Sequence, residues 1–143
     1  MRVHSVHAWK NSVVLERPLF GAYAPAGFPS PAQDWIDSGL DLNEFMVSHP
    51  AATYYVRVSG DSMIEAGILN GDYLIVDRAV EARHGVIVVA VLEGEMTVKR
   101  LYRQKGVIEL HPENKAYPPI RIKQDMELVI WGVVIGVFRK TFI

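Results

Sequence analysis

The chain has 143 residues, half of them hydrophobic, with a formal net charge of −1 at pH 7 and no cysteine. This length supports one well-buried core, and the near-neutral charge lacks the basic face that direct nucleic-acid binding requires. The lack of cysteine excludes disulfides, thiolate metal sites and a cysteine nucleophile, and it fits a reducing cytoplasmic compartment.

The first thirty residues are predicted to form an extended N-terminal arm. Prolines and glycines recur between Arg17 and Pro31, and they exclude a continuous helix or a central strand over that stretch. Residues 1–7 lack the continuous apolar run of a secretory signal, so the chain is expected to stay in the cytoplasm. We therefore predict an arm over residues 1–30 and one domain over residues 31–143.

One or two short helices are predicted next along the chain. One candidate lies around Ala32 to Ile36. The other covers residues 41–47, with Asp41 as its N-cap and Glu44 three residues later, as in a capping box.

After residue 50, short apolar runs alternate with turns. Successive side chains alternate in character over residues 54–58, which is typical of a half-buried strand. The predicted strands cover residues 54–58, 73–76, 86–92, 96–102, 107–110 and 128–138. Glu93-Gly94 predicts a tight hairpin between two of them. The fold class is therefore mainly β, an antiparallel sheet domain that follows the arm.

The longest apolar run does not resemble a membrane span. It extends from Val129 to Phe138, contains two glycines, and has about half the length that a spanning helix needs. The chain is therefore expected to be soluble and to make no membrane contact.

Ser62 is a candidate nucleophile. It lies in Gly60-Asp61-Ser62-Met63, a few residues after the first strand of the domain. Gly60 permits a sharp turn that would direct the serine hydroxyl and neighbouring backbone N–H groups toward one point, where those groups would stabilise an oxyanion. The same string is also typical of an ordinary polar turn, so Ser62 alone does not establish catalysis.

Lys99 is the candidate base. Alternation over residues 96–102 places it on the face shared by Thr97 and Leu101, beside the apolar run 86–92. A free lysine has a pKa of about 10.4. A base near neutrality needs a pKa about 3 pH units lower, and burial is able to lower the pKa of a lysine by that much. The alternative is an edge lysine whose ammonium reaches water.

Two other hydrolase patterns match less well. A serine-histidine-acid triad would need a histidine as its base, but no histidine of the chain lies beside residues that form a catalytic motif. The histidines are His4, His7, His49, His84 and His111. A GDSL-like esterase needs an Asp-x-x-His block, and no aspartate here has a histidine three residues after it. The Gly-x-Ser-x-Gly elbow is absent as well.

Several blocks resemble the LexA-like serine-lysine self-cleaving peptidases, and within them the UmuD-type mutagenesis proteins. These blocks are Gly60-Asp61-Ser62-Met63, Val98-Lys99-Arg100, the run from His111 to Tyr117, and residues 71–77 and 131–134. The resemblance extends over roughly residues 17–138, and it is specific because independent motifs occur in order.

The resemblance implies a LexA C-terminal-like fold and a self-cleavage reaction. Ala26-Gly27-Phe28-Pro29 is similar to the family's cleavage segment, so Ser62 and Lys99 would cut the bond between Ala26 and Gly27. A RecA-nucleoprotein filament would stimulate the cut. The shortened chain, as a homodimer, would serve a UmuC-type DNA polymerase in translesion synthesis during the SOS response. No cofactor and no metal are implied.

Other functions stay open at this point. The same sheet and arm would also suit a non-catalytic dimerisation and polymerase-binding module, in which Ser62 has no role. A LexA-type repressor would need a separate DNA-binding domain, yet residues 1–50 carry only three basic residues against five acidic ones. A GDSL-like esterase would instead turn over small esters.

Overall fold

The computed structural model describes residues 1–10, 16–20 and 36–142. In chain order its elements are β1 (Arg2–Ala8), β2 (Glu16–Phe20), β3 (Ile36–Asp41), α1 (Leu42–Met46), β4 (Thr53–Ser59), β5 (Tyr73–Asp77), β6 (Ile87–Leu92), β7 (Glu95–Gln104), β8 (Val107–His111), β9 (Ile120–Arg121) and β10 (Leu128–Phe138). Short 3₁₀ turns cover Pro50–Ala52 and Ile64–Ala66. These elements belong to two compact units, one formed by Met1–Trp9 and His49–Ile143 and the other by Lys10–Ser48.

The smaller unit contains β2, which pairs antiparallel with β3, and the helix α1 that follows. The helix predicted at residues 41–47 is confirmed, because the Asp41 carboxylate accepts a hydrogen bond from the Asn43 N–H at 3.1 Å and caps α1. The helix predicted around Ala32 to Ile36 lies outside the described residues except for Ile36, which begins β3. In the part of the chain that the structure describes, no helix is long and apolar enough to cross a membrane.

The strands predicted after residue 50 are confirmed in the larger unit. Strands β4, β5, β6, β7, β8 and β10 cover the six predicted runs, with ends that differ by at most two residues. The short strand β9 was not predicted, because two residues are too few to show alternation. The mainly β fold class is therefore confirmed.

Among the described residues, eight strands form one antiparallel sheet that closes on itself. Their order is β1-β4-β5-β10-β6-β7-β8-β9, and β1 also pairs with β7 through Arg2 and Thr97. Six of these strands thus form a ring. The strand that leads to Ser62 and the strand that contains Lys99 are both neighbours of β1 in that ring.

Strand β1 occupies a place that the sequence did not indicate. Its residues belong to the predicted arm, yet they pair with β4 from Arg2 opposite Ser59 to Ala8 opposite Tyr54. The reason is non-local: an extended segment with little apolar periodicity is able to complete the backbone hydrogen bonds of a neighbouring strand. The boundary of the arm at residue 30 stays a prediction.

The predicted hairpin at Glu93-Gly94 is confirmed. Leu92 pairs with Glu95 across the turn, and Glu93 and Gly94 have φ angles of 49° and 80°. Two successive positive φ angles are typical of the type I′ turn, whose twist matches that of the strands. This short turn sets the register of β6 and β7, in which Val88 lies opposite Lys99.

Two apolar clusters fill the larger unit. One contains buried side chains of β4, β5, β6 and β7 together with Met1, Met63 and Ile68. The other is formed by Val88, Ala90, Leu101, Leu110 and Val133. Met63 is completely buried in the first cluster and directly follows Ser62, so core packing anchors the turn that contains the serine.

A buried carboxylate ties the end of the chain to the segment after Ser62. Asp72 accepts hydrogen bonds from Arg139 Nε at 2.7 Å, from Arg139 Nη2 at 2.8 Å and from the Leu69 N–H at 2.7 Å. Burial by itself would raise the pKa of Asp72, but the bonds from Arg139 and Leu69 outweigh it and hold that pKa below its ordinary value. The resulting stabilisation is present above the unfolded-state pKa and is lost as the pH falls through the folded-state pKa.

Gly132 is a position where the fold has no room for a side chain. A Cβ atom there would lie 2.6 Å from Val76 Cγ1 and 3.2 Å from Arg78 Cγ. We expect Gly132→Ala to lower the free energy of unfolding by about 1–3 kcal/mol, because the neighbouring side chains have to move. Urea denaturation followed by circular dichroism measures this loss.

The matched control for Gly132→Ala is Val129→Thr on the same strand. Val129 is 52% exposed, and threonine keeps its shape and its β-branching. We expect this variant to stay within about 0.5 kcal/mol of the parent. An unchanged denaturation midpoint for Gly132→Ala would contradict the close packing of β10 on β5.

Candidate active site

Ser62 lies at the end of a sharp turn after β4. Gly60 has a φ angle of 99°, which favours glycine, and its N–H donates a hydrogen bond to Asn70 Oδ1 at 2.9 Å. The side chain of Ser62 is nearly buried, with 5% of the residue exposed. The predicted turn is therefore present, and it directs the hydroxyl inward.

Lys99 lies on β7, which is the other neighbour of β1, and its side chain extends to the hydroxyl of Ser62. Its Nζ lies 3.3 Å from Ser62 Oγ, although 37 positions separate the two residues in the sequence. The ammonium also has Thr97 Oγ1 at 3.2 Å and the Val98 carbonyl oxygen at 3.3 Å as acceptors. Lys99 is only 7% exposed, so it differs from an edge lysine whose ammonium lies in water.

The environment of Lys99 disfavours its charged form. Burial lowers the pKa of Lys99 below the ordinary value of 10.5, and the hydrogen bond with the Met1 amino group partly opposes that decrease. A lowered pKa increases the neutral fraction near physiological pH, and a neutral lysine amine is a proton acceptor.

Met1 also lies at the serine. Its amino nitrogen is 2.6 Å from Ser62 Oγ, and its carbonyl oxygen accepts hydrogen bonds from the Val98 N–H at 3.3 Å and from Thr97 Oγ1 at 3.0 Å. Burial, followed by the nearby charge of Lys99, lowers the pKa of the Met1 amino group from 8.0 to about 5. The residues therefore bring two amines to one hydroxyl, and both are shifted toward their neutral forms.

A loop after β8 braces the turn of Ser62 by four hydrogen bonds. Asn114 Nδ2 donates to the Asp61 carbonyl oxygen at 2.9 Å, and Tyr117 Oη donates to Asp61 Oδ1 at 2.7 Å. The Glu113 N–H donates to the Ser62 carbonyl oxygen at 2.8 Å, and the Glu113 carbonyl oxygen accepts from the Glu65 N–H at 2.9 Å. We call residues 113–117 the bracing loop. It holds the backbone on both sides of the serine.

The bracing loop is itself fixed to the strand that contains Lys99. Glu113 forms an ion pair with Arg100, and Arg100 Nη1 donates to the Gly85 carbonyl oxygen at 2.7 Å. Because Arg100 directly follows Lys99, the serine turn and the lysine strand are linked through Glu113.

An open cavity of about 470 Å³ adjoins the two candidate residues. Its lining includes Asp61, Tyr117, Pro118 and Ile120 in addition to Ser62 and Lys99. Met1 and Arg2 line the cavity as well, so the start of β1 forms part of its wall.

A histidine-based triad does not match the geometry. His49 Nδ1 bonds to Asp77 Oδ2 at 2.6 Å, but Asp77 pairs with Thr53 at the start of β4, whereas Ser62 follows the end of that strand. His84 and His111 both pack against the ring of Tyr102. The hydroxyl of Ser62 is contacted instead by Lys99 and Met1.

The sequence match with a known family covers most of the chain. Residues 18–135 match the Peptidase S24-like family. This chain is a member of the Peptidase S24-like family. The resemblance to LexA-like peptidases that the sequence motifs indicated is thereby confirmed.

Individual relatives support the same assignment. Protein ImpA of Salmonella typhimurium is 46% identical over 126 residues, which are 87% of this chain and 85% of ImpA. Protein MucA of Escherichia coli is 46% identical over 134 residues, which are 93% of this chain and 84% of MucA. The LexA repressor of Acetivibrio thermocellus is 42% identical over 132 residues, which are 92% of this chain but only 60% of that repressor.

The structure brings Ser62 and Lys99 together, whereas Ala26 and Gly27 lie outside the described residues. Sequence reasoning gave no role to Thr97, to Met1 or to the Asp61–Tyr117 contact. The 111–117 block stood out as a family motif, but the sequence does not show that its side chains reach a turn more than fifty positions earlier. Such contacts depend on how the closed sheet places its loops.

The Tyr117 hydroxyl provides a test of the bracing loop. Its hydrogen bond with Asp61 raises the pKa of Tyr117, and Tyr117→Phe would remove that bond while keeping the ring. We expect self-cleavage to slow by roughly 3- to 10-fold, because a net hydrogen bond contributes about 1 kcal/mol to holding the turn. Densitometry of cleavage time courses measures the rate.

Tyr102→Phe is the matched control for Tyr117→Phe. Tyr102 is 37% exposed, compared with 45% for Tyr117, and it contacts His84 and His111 instead of the Ser62 turn. We expect its cleavage rate to equal that of the parent. Equal rates for both variants would show that the Tyr117 hydroxyl does not position the serine.

Proposed function

We propose that this chain is a UmuD-type self-cleaving peptidase in which Ser62 and Lys99 form a catalytic dyad. The observation that carries the proposal is the 3.3 Å distance between Ser62 Oγ and Lys99 Nζ, with both residues nearly buried, in a member of a peptidase family. This arrangement supports catalysis better than a purely structural role, because a buried lysine is costly unless its charge is suppressed.

In the proposed mechanism, neutral Lys99 takes the hydroxyl proton of Ser62. The serine oxygen then attacks the carbonyl carbon of Ala26, and backbone N–H groups of the Ser62 turn stabilise the oxyanion. The bond from Ala26 to Gly27 breaks, Lys99 returns the proton to the departing Gly27 nitrogen, and an ester links Ala26 to Ser62. Water, deprotonated by Lys99, hydrolyses that ester and restores the serine.

The proposed scissile bond suits a crowded site. Ala26 has a small side chain, and Gly27 lets the backbone approach the nucleophile without a side-chain clash. The 36 positions between Ala26 and Ser62 extend to at most about 120 Å, so the segment is long enough to reach its own site or that of a second subunit.

The proposed biological role follows the UmuD-type resemblance. A RecA-nucleoprotein filament stimulates the cut, and the shortened homodimer serves a UmuC-type DNA polymerase in the SOS response within the cytoplasm. A LexA-type repressor is less well supported, since residues 1–50 carry three basic residues against five acidic ones, which does not suit DNA binding. The near-neutral charge of the chain also favours protein partners over direct DNA contact.

Intact-mass spectrometry of the purified full chain tests the proposed function. The protein is incubated at alkaline pH, or at neutral pH with RecA filament, and we expect one new species of residues 27–143 and a fragment of residues 1–26. Incubation with RecA but without single-stranded DNA is the control, because no filament then forms. A mass that stays unchanged in both conditions would refute self-cleavage and favour the non-catalytic binding module.

A further inference from the structure

The strand position that leads into the candidate active site is already filled by β1. Seen from β1, one neighbour is β4, which leads to Ser62, and the other is β7, which contains Lys99. The other side of β4 is paired with β5 from Thr53 opposite Asp77 to Arg57 opposite Tyr73, and Val58 exchanges hydrogen bonds on that side with Asp72 and Gly71. The β1 position is therefore the edge of β4 along which a further strand would reach the serine.

The backbone of Met1 makes the contacts that an extended peptide would make in this position. Its nitrogen lies 2.6 Å from Ser62 Oγ, and its carbonyl oxygen accepts hydrogen bonds from Val98 and Thr97, the two residues before Lys99. Hydrogen bonds to the backbone of a bound strand depend little on the identity of its side chains. A different extended segment would therefore be able to make the two carbonyl contacts, whereas the contact with Ser62 comes from the terminal amine of Met1.

Three features indicate that β1 is an imperfect occupant. The register with β4 shifts between Val3 and Ser5, so that His4 interrupts the ladder. Most side chains of β1 are exposed, which leaves Met1 and Val3 as its main apolar anchors in the core. Trp9, directly after β1, has a buried Nε1–H without a hydrogen-bond partner among the described residues, and a buried unpaired donor costs free energy.

From these observations we infer that β1 and the segment around Ala26-Gly27 compete for one strand position beside β4, so that β1 must leave before self-cleavage. This inference rests on the proposed function and adds a regulatory step to it. Since adjacent strands lie about 4.8 Å apart, the position next to β4 holds one strand at a time. The cleavage rate is then the intrinsic rate multiplied by the fraction of molecules in which β1 has left.

A reversible crosslink tests the exchange directly. The chain has no cysteine, so Ser5→Cys combined with Arg57→Cys places a single disulfide between residues that lie opposite each other on β1 and β4. We expect the oxidised protein to cleave at least about 10-fold more slowly than the same protein after reduction. The single variant Ser5→Cys, treated with the same oxidant and reductant, is the control for effects of either reagent.

A second pair of variants tests whether weaker docking of β1 on the sheet raises the cleavage rate. Val3 packs against the core, whereas the next residue, His4, is exposed. We expect Val3→Asp to weaken the docking of β1 and to raise the cleavage rate at least about 3-fold, because a buried carboxylate is unfavourable, and His4→Asp to leave the rate unchanged. Circular dichroism establishes that both variants are folded.

The outcomes separate this inference from the proposed function. If the double-cysteine protein cleaves when reduced and equally fast when oxidised, the exchange is wrong and self-cleavage stands. If Val3→Asp remains folded and cleaves no faster than His4→Asp, the exchange is likewise wrong. If the parent chain loses no residues under any condition, the proposed function fails, and the exchange fails with it.

Discussion

Ser62→Ala is expected to abolish self-cleavage. The substitution removes the oxygen that lies 3.3 Å from Lys99 Nζ and that attacks the scissile carbonyl in the proposed mechanism. Loss of a covalent nucleophile costs orders of magnitude, so we expect the rate to fall by at least about 10³-fold. Intact mass after incubation with RecA filament measures the loss, and the expected spectrum shows only the full chain.

The control for Ser62→Ala is Ser48→Ala, which changes a serine at an exposed position outside the site. We expect this variant to cleave like the parent. Because Ser62 is nearly buried and alanine is smaller, Ser62→Ala should also stay folded, with a denaturation midpoint close to that of the parent. A folded Ser62→Ala protein that still lost residues 1–26 would refute the serine nucleophile.

The second large effect is expected at Lys99. Lys99→Met keeps much of the side-chain volume but removes the base, and we expect cleavage at neutral pH to fall by at least about 10²-fold. The stability of the fold should not decrease along with the cleavage rate. Burial lowers the pKa of Lys99, so the buried ammonium opposes folding below its unfolded-state pKa, and methionine removes that opposition. We therefore expect the urea midpoint of Lys99→Met at pH 7 to equal or exceed that of the parent.

The pH dependence of the parent chain reports on the same group. Because the neutral amine is the base, the cleavage rate should rise with pH through the folded-state pKa of Lys99, which lies below 10.5, and level off above it. Lys123→Met, at an exposed position, should keep this profile. A parent rate that does not change with pH, or a Lys99→Met protein that cleaves normally, would contradict a lysine base.

Local patterns were sufficient for the elements that local physics controls. Alternation predicted the strands after residue 50 because one face of each strand packs on the core, and Glu93-Gly94 predicted a hairpin because Gly94 readily adopts the positive φ angle that such a turn needs. The cap of α1 follows from the short side chain of Asp41, which reaches the N–H two residues later. In each of these cases the deciding interaction lies within a few residues.

The sequence by itself determined the family, the two candidate catalytic residues and the strands that hold them. Only the tertiary structure decided that Ser62 and Lys99 lie 3.3 Å apart, that Asp61 meets Tyr117, and that β1 completes the ring beside the serine. These contacts join residues 37, 56 and 61 positions apart. Closure of the sheet sets such distances through the pairing of all its strands, and no short stretch of sequence encodes them.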